Sequence, residues 1–382
     1  MKLPRHWAAF CQCALLLPAL GLAEVTIDPL APQKIIDELS LQQADTPMRD
    51  YPDWDPQRIV VSLPPWIAQQ IPDLKAQLED SAGEATLVID TSPAMSPSAE
   101  MLAGADAIIS LCTQDTMDKA SPRLLWLHSY TVGVDGCLGL TPEQIQGRVF
   151  TNSKRLMGPG IAEHSIAMLL ALAAKLPDYH AAQRERSWDR GPSRTASFGE
   201  LNGKTMLVVG LGGIGTEVAR RADGLGMTVL ATRNSSRQGP SFVEYVGLSD
   251  ELLDLAAKSD VIVNALPLTA KTTGIFNEAF FDTVKPGAIF ISVGRGASTV
   301  QEDLIAALGS GQLYGAGLDV TDPEPLPEDS PLWEMDNVII TPHISATGGD
   351  SMKRVAVIAV ENLRRYVAGE PLLNVVNMQA GY

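Results

Sequence analysis

Three residues in the second half of the chain carry side chains that could hold a carboxylate and move a proton. Arg295 follows an apolar segment in PGAIFISVGRGASTV, Glu324 lies in the Pro-rich loop of GAGLDVTDPEPL, and His343 directly follows the strand-like part of NVIITPHIS. A guanidinium can pair with a carboxylate through two parallel hydrogen bonds. An imidazole exchanges protons near neutral pH, and a glutamate bonded to one ring nitrogen fixes its tautomer. The three side chains together predict acid–base chemistry on a small acid that also carries a carbonyl group.

A glycine-rich turn earlier in the chain predicts the source of a hydride. Residues 206–222, MLVVGLGGIGTEVARRA, are typical of a buried strand that turns through glycines into a helix. Gly210 permits the tight turn, Gly212 lets the backbone approach a pyrophosphate, and Gly215 lets the helix pack on the strand. The phosphates would lie at the positive N-terminal end of that helix. The residues expected to bind a dinucleotide here are Gly210, Gly212, Gly213, Ile214 and Gly215.

The next apolar run, residues 227–231, indicates which dinucleotide binds. An NAD site would be expected to end this strand with an acid that binds the ribose 2′-hydroxyl, but no acid occurs between Asp223 and Glu244. The turn instead supplies guanidinium, hydroxyl and amide donors, which suit a 2′-phosphate. The sequence therefore favours NADP over NAD, with a solvated basic turn as the alternative. The residues of the turn expected to contact the cofactor are Thr232, Arg233, Asn234, Ser235 and Arg237.

These features together fit the reduction of a 2-oxo acid. That reaction needs a cation at the carboxylate, a proton donor at the ketone oxygen and a hydride held at the carbon. Arg295 fits the first need, and His343, oriented by Glu324, fits the second. A histidine that follows a strand is on its own more often structural than catalytic. We interpret His128 and His164 in that way.

The same segments resemble the D-isomer-specific 2-hydroxyacid dehydrogenases. The resemblance runs from Arg58 to the C-terminus and includes LPLTAKTTGIF, the apolar helix AEHSIAMLLALAAKLP (162–177) and the tail ENLRRYVAGEPLLNVVN. It implies that Arg295, Glu324 and His343 are the catalytic residues, because these positions match the family's catalytic residues one for one. A glutamate rather than a glutamine beside the histidine argues against formate as the substrate.

The resemblance also implies roles for residues outside the catalytic three. Val132 and Gly133, in LHSYTVGVDGC, would present backbone N–H groups to the substrate, with a plain βα turn as the alternative. Asp319 would lie near the nicotinamide carboxamide, and Pro267 and Thr272 would lie beside the cofactor ribose. The family further implies a homodimer.

The length of the chain, 382 residues, predicts two domains. Apolar strands alternate with helical stretches from Arg58 onward, as is typical of parallel sheets with crossover helices. The predicted fold class is α/β, with two Rossmann-like or flavodoxin-like parallel-sheet domains and an active-site cleft between them. The predicted segments are a signal peptide (1–23), an N-terminal extension (24–57), a substrate-binding domain (58–154 and 345–382) and a dinucleotide-binding Rossmann domain (155–344).

The first 23 residues predict export. Lys2 and Arg5 precede an apolar run over residues 7–20, and small residues follow up to Ala23, as in a secretory signal. The apolar run is too short for a membrane span, so none is expected in the mature chain. Because NADPH is not expected outside the cytoplasm, a misassigned start or an uncleaved anchor, with a cytoplasmic enzyme, stays open as the alternative.

Charge and cysteine content limit the other functions. The formal net charge of −16 makes the chain a poor candidate for binding nucleic acid. Of the four cysteines, Cys112 and Cys137 would remain after signal cleavage, and their contexts suit free thiols and a disulfide equally. Neither has a Cys or His partner at ligand spacing, so no metal site is expected.

The sequence therefore predicts NADPH-dependent reduction of a small 2-oxo acid, of the glyoxylate or hydroxypyruvate class, to the D-2-hydroxy acid. The alternative is a dinucleotide-sensing binding protein of the corepressor type with little turnover, since relatives with that role keep the same three residues. The acidic charge and the predicted signal argue against a nuclear role for this chain.

Overall fold

The structure, a computed structural model, describes residues 31–137, 139–192, 198–347 and 350–379. The predicted signal peptide, residues 1–23, lies outside the described residues. The described chain forms two parallel β-sheets with helices on their faces, which confirms the predicted α/β fold.

The first sheet has five strands. They are β1 (Arg58–Ser62), β2 (Thr86–Asp90), β3 (Ala107–Ser110), β4 (Trp126–Ser129) and β5 (Val149–Thr151). Their order is β2-β1-β3-β4-β5, and all neighbours are parallel. The inner strands β1, β3 and β4 are short and almost wholly buried, as expected for a sheet covered on both faces.

The second sheet has seven strands. They are β6 (Thr205–Val209), β7 (Thr228–Thr232), β8 (Tyr245–Gly247), β9 (Val261–Asn264), β10 (Ala288–Ser292), β11 (Leu313–Leu318) and β12 (Val338–Ile340). The order β12-β11-β10-β9-β6-β7-β8 reverses direction between β6 and β9. Ligands of doubly wound sheets bind at this reversal, outside the carboxyl ends of the strands.

Thirteen α-helices lie within the described residues. They are α1 (Ala31–Leu39), α2 (Pro65–Gln70), α3 (Leu74–Ser81), α4 (Ala99–Leu102), α5 (Gln114–Asp118), α6 (Pro142–Ile145), α7 (Gly158–Ala173), α8 (Leu176–Arg184), α9 (Gly213–Gly224), α10 (Leu252–Ala256), α11 (Glu278–Thr283), α12 (Gln301–Gly309) and α13 (Ser351–Val367). Helix α7 packs against α9 and joins the core of the second sheet.

The apolar helix expected over 162–177 differs from the observed one at both ends. Helix α7 begins at Gly158 and ends at Ala173, and Lys175 then adopts a left-handed conformation before α8. Pro177 explains the break, because in one continuous helix it would have no N–H to donate to the Ala173 carbonyl and its ring would collide with that carbonyl. No single described helix is long and apolar enough to span a membrane; only α7 and α8 taken together reach that length and hydropathy, and they are bent by 71° at the break.

Residues 31–57, here called the N-terminal arm, pack with α13 on the first sheet's side of the molecule. Ile35 and Leu41 of the arm are buried in the core that α13 shares. The Trp54 indole N–H donates to the carbonyl of Tyr366 at 2.8 Å, and the Tyr366 hydroxyl donates to the Asp106 carboxylate at 3.0 Å. The described part of the extension is thus an ordered arm fastened to the chain's last long helix.

Cys112 and Cys137 form a disulfide, which decides between the two states that the sequence left open. Cys112 lies just beyond β3, and Cys137 closes a short 3-10 helix, Asp135–Cys137, that follows Gly133. Both cysteines are buried. The bridge therefore fastens the predicted substrate loop to the carboxyl end of the first sheet.

Candidate active site

Three neighbouring strands of the second sheet deliver polar side chains at one edge. Arg295 follows β10, Asp319 follows β11 and His343 follows β12. Parallel strands end at the same edge of a sheet, so the three residues come together although 48 positions separate the first from the last. The His343 N–H donates to the Asp319 carbonyl at 2.8 Å, which fixes the backbone beside β11.

His343 and Glu324, which the sequence predicts to act together in proton transfer, lie side by side. Nδ1 of His343 lies 2.8 Å from Oε2 of Glu324. The other carboxylate oxygen, Oε1, accepts the backbone N–H of Thr321 at 3.2 Å, so the loop fixes the carboxylate. With Nδ1 donating to the carboxylate, Nε2 is the ring nitrogen left to face a ligand. The side chains are 45% and 40% exposed, and a substrate can reach the imidazole.

Arg295 is held by an acid from the first sheet's side of the cleft. Its Nε and Nη2 donate to the same oxygen, Oδ2 of Asp135, at 3.0 and 2.7 Å, and Nη1 donates to the carbonyl of Gly294 at 2.8 Å. The guanidinium lies against Gly133, where a Cβ would collide with Nη2. One hydrogen on each Nη remains for a substrate carboxylate.

The predicted substrate loop lies next to this guanidinium. The Val132 carbonyl accepts from the Asn152 amide at 2.6 Å, and the Gly133 carbonyl accepts from the Thr131 hydroxyl at 2.7 Å. These bonds orient the two peptide units. Within the described part of the chain, the N–H groups of Val132 and Gly133 donate to nothing, so both remain available to an oxyanion.

The glycine turn has the geometry that a dinucleotide needs. Gly210 has φ +100° and packs on the Ala265 carbonyl. A Cβ built on Gly210 would lie 2.9 Å from that carbonyl oxygen. A Cβ at Gly215 would collide with the carbonyl of Gly210, so only glycine lets α9 pack this closely on the turn. Helix α9 starts at Gly213 with Gly212 as its N-cap, and Ile214 lies in its first turn. The space and the helix end fit a pyrophosphate.

The basic turn after β7 contains two arginines, one in an ion pair and one bonded to a backbone carbonyl. Arg237 forms an ion pair with Glu251 at 2.6 Å and donates to the Tyr245 hydroxyl at 2.8 Å. Arg233 donates from Nη1 to the Gln238 carbonyl at 3.0 Å. Thr232 is buried at the end of β7, and Asn234 and Ser235 lie in the bend that follows.

Asp319 is a buried carboxylate with several donors. Its oxygens accept from the Thr341 hydroxyl at 2.7 Å and from the backbone N–H groups of Ile344 and Ser345 at 2.9 and 3.1 Å. Burial alone would raise the pKa of Asp319, but these hydrogen bonds hold it below its ordinary value. His164 approaches the same cluster, with Nε2 2.9 Å from the Thr341 hydroxyl. Asp319 therefore stays ionised and orients the segment that carries His343.

Two other predicted positions lie in the loop after β9. The Thr272 hydroxyl donates to the Pro267 carbonyl at 2.7 Å, which closes this loop on itself. His128, in contrast, is fully buried in β4, with Nδ1 2.9 Å from the Thr151 hydroxyl.

Comparison with known proteins identifies this arrangement. A family model described as "D-isomer specific 2-hydroxyacid dehydrogenase, NAD binding domain" matches residues 166–345. A glyoxylate reductase from Korarchaeum cryptofilum (strain OPF8) is 33% identical over 288 residues, which are 73% of this chain and 85% of that protein. The chain belongs to the D-isomer-specific 2-hydroxyacid dehydrogenase family. It is an NAD(P)-dependent oxidoreductase that acts on the CH–OH group, as the sequence predicted.

Two further relatives of this dehydrogenase agree. A human glyoxylate reductase/hydroxypyruvate reductase is 31% identical over 276 residues, 71% of this chain and 84% of that protein. The crystal structure of an NADPH-dependent glyoxylate/hydroxypyruvate reductase from Sinorhizobium meliloti, in complex with NADP and sulfate, superposes with a TM-score of 0.70. It has 28% sequence identity, and the match covers 85% of this chain and all of that one.

The sequence predicts a substrate loop at Val132 and Gly133 but does not predict the contact of Asp135 with Arg295. The available signal was an acid two residues after Gly133, in a loop expected to bind a carboxylate. Nothing local connects that acid to Arg295, because their contact depends on how the two sheets face each other.

Proposed function

We propose that this dehydrogenase reduces a small 2-oxo acid, of the glyoxylate or hydroxypyruvate class, to the D-2-hydroxy acid with NADPH. The observation that carries the proposal is the pairing of His343 Nδ1 with Glu324 at 2.8 Å, on the strand edge that also carries Arg295. A proton donor and a carboxylate-binding cation are thereby presented to one small ligand.

The chain's own residues bind and protonate the substrate in this proposal. Arg295 holds the substrate carboxylate through its remaining Nη hydrogens, and the N–H groups of Val132 and Gly133 assist it. When bound, the nicotinamide cofactor supplies the hydride to the carbonyl carbon. Nε2 of His343 gives its proton to the carbonyl oxygen, so that C=O becomes CH–OH. The neutral imidazole regains a proton from water, to which it is exposed.

The cofactor preference rests on the turn after β7. No acid stands where the ribose 2′-hydroxyl would need one, and Arg233 lies at that place. A guanidinium there suits a 2′-phosphate better than a hydroxyl. The Sinorhizobium relative is described as NADPH-dependent and holds NADP, which supports the same preference. NAD remains the second choice.

Steady-state kinetics with a panel of 2-oxo acids and both cofactors tests the proposal. We expect the highest kcat/KM with glyoxylate or hydroxypyruvate and NADPH, and a D product where the product is chiral. Cofactor binding without turnover on any 2-oxo acid would overturn the reductase proposal in favour of the dinucleotide-sensing binding protein. The similar proteins named above are reductases, which favours turnover.

Assembly and location are part of the same proposal. We propose a homodimer, which light scattering of the purified protein tests by its mass. We also propose export with cleavage after Ala23, which leaves the mature enzyme outside the cytoplasm. The alternative is a cytoplasmic enzyme with a misassigned start or an uncleaved anchor, where NADPH is expected. The disulfide between Cys112 and Cys137 supports export, because such bridges persist in oxidising compartments.

A further inference from the structure

Arg155 is a charged residue in an unusual backbone conformation at the join between the two sheets. It lies between β5 and α7 with φ +70°, in the left-handed region that residues other than glycine rarely adopt. Such a conformation persists only where the surroundings hold it, and it is often associated with a functional site. The contacts of Arg155 show which site that is.

Arg155 packs directly on the start of helix α9. A Cβ built on Gly213 would lie 2.8 Å from the Arg155 Cγ and 3.1 Å from its Cα. Gly213 is the first residue of α9, in the turn that receives the dinucleotide. Only a glycine at position 213 leaves room for Arg155, and the arginine stem therefore runs over the cofactor turn.

The N-terminal arm holds the other end of this side chain. Nη1 of Arg155 donates to the carbonyl of Leu39, the last residue of α1, at 3.3 Å. Helix α1 is itself anchored by Ile35, which is buried in the core shared with α13. The arm thus has a specific contact at the nucleotide site.

The charges around Arg155 favour the binding of an anion. Burial is the main cause that lowers the pKa of Arg155, the nearby positive charge of Arg233 lowers it further, and Glu217 opposes both. Glu217 already forms ion pairs with Arg220 and Arg221. Lys154, which precedes Arg155, adds another positive charge and donates to the Val375 carbonyl.

Arg233, like Arg155, has no carboxylate partner among the described residues. In the described part of the chain, neither Arg155 nor Arg233 has a carboxylate at ion-pair distance, whereas Arg237 is engaged by Glu251. Strand β7, which Arg233 follows, ends at the same glycine turn, where the Thr232 carbonyl accepts the Leu211 N–H at 2.9 Å. A dianion that reaches both guanidinium groups from this turn would stabilise them.

We propose that Arg155 binds the 2′-phosphate of NADPH together with Arg233, and that the N-terminal arm positions it through the Leu39 carbonyl. This assignment rests on the proposed preference for NADPH. It gives the arm a role in cofactor recognition and makes Arg155, rather than Arg237, the partner of Arg233.

Arg155→Gly separates the charge from the backbone conformation, because glycine adopts a positive φ without strain. We would titrate the enzyme, without substrate, with NADPH, NADH, 2′,5′-ADP and 5′-AMP. The variant should bind NADPH and 2′,5′-ADP at least ~10-fold more weakly, as expected from the loss of one charge-assisted hydrogen bond. NADH and 5′-AMP should bind as they do to wild type, and the melting temperature of the ligand-free protein should not fall.

Arg186→Gly is the matched control, because Arg186 is also left-handed, at φ +58°, and is exposed after α8. It should leave all four affinities unchanged. If Arg155→Gly keeps the wild-type NADPH affinity, or loses NADPH and NADH equally, Arg155 does not bind the 2′-phosphate. If wild type itself binds 5′-AMP as tightly as 2′,5′-ADP, the proposed cofactor preference fails, and this inference fails with it.

Discussion

Asp135 and Arg295 join the two halves of the active site through a single carboxylate oxygen. Nε and Nη2 of Arg295 donate to Oδ2 of Asp135 at 3.0 and 2.7 Å, across 160 positions of sequence. The 3-10 helix that carries Asp135 ends at Cys137, whose disulfide to Cys112 fixes it to the first sheet. The Arg295 guanidinium therefore belongs to one sheet and is oriented by an acid from the other.

Arg295→Lys tests this arrangement. Lysine keeps the charge but lacks the fork that contacts Asp135 and the substrate carboxylate at the same time. The KM for the 2-oxo acid should rise at least ~10-fold, the equivalent of about 1.4 kcal/mol, while the Kd for NADPH stays unchanged. Arg123→Lys is the control, since Arg123 pairs with Asp55 at 3.2 Å on the exposed surface. An unchanged KM and kcat in Arg295→Lys would mean that the carboxylate is held elsewhere.

His343→Gln tests proton transfer. Glutamine keeps a polar side chain beside Glu324 but has no acidic proton to transfer, so kcat should fall at least ~10², the usual scale of general acid–base catalysis. NADPH affinity, measured by titration, should change little. His180→Gln, an exposed position on α8, is the control. Turnover near the wild-type rate in His343→Gln would remove His343 from the reaction.

Arg233→Asp tests the cofactor preference. The new carboxylate would repel the 2′-phosphate of NADPH and accept the ribose hydroxyl of NADH. Wild type should favour NADPH by about 10-fold or more in kcat/KM, and the variant should favour NADH. Arg186→Asp introduces the same charge change at an exposed position and should leave the ranking intact. If wild type uses both cofactors equally, or the variant still prefers NADPH, the turn after β7 is a solvated loop that does not select the cofactor.

Local signals explain what the sequence could predict here. The glycine turn, Glu324 and His343 are predicted from strand-to-loop transitions within short segments. The structure places the glycine turn after β6, Glu324 in the loop that follows β11 and His343 shortly after β12. The break between α7 and α8 also had a local signal in Pro177, although the apolar pattern alone extends one helix across it.

Contacts between distant segments explain what the sequence could not predict. The bonds from Arg295 to Asp135 and from Arg155 to Leu39 span 160 and 116 positions. They depend on how the two sheets and the arm pack, which no spacing records. The ion pair of Arg237 was hidden for a similar reason, because its partner Glu251 follows another strand, β8.

If the protein is exported, its mature chain should have a defined first residue and a defined number of free thiols. N-terminal sequencing of protein from its native host should begin at Glu24, since the preceding segment has the order of a secretory signal. Without reductant, the denatured mature protein should show no free thiols, because Cys112 and Cys137 are bridged and Cys11 and Cys13 leave with the signal. A chain that starts at Met1 in the cytosolic fraction would contradict export.

His128 predicts how stability depends on pH. Burial lowers the pKa of His128 to about 3, whereas an unfolded histidine titrates near 6.5. Between these values the unfolded state binds one more proton than the folded state, so stability falls as the pH drops from about 6.5 toward 3. His128 should contribute up to about 1.4 kcal/mol per pH unit to this slope.

Denaturant unfolding of His128→Asn from pH 7.5 to 4.5 should therefore give a shallower loss of stability than wild type, whereas His180→Asn should match the wild-type slope. Equal slopes in wild type and His128→Asn would show that His128 takes up its proton in the folded protein.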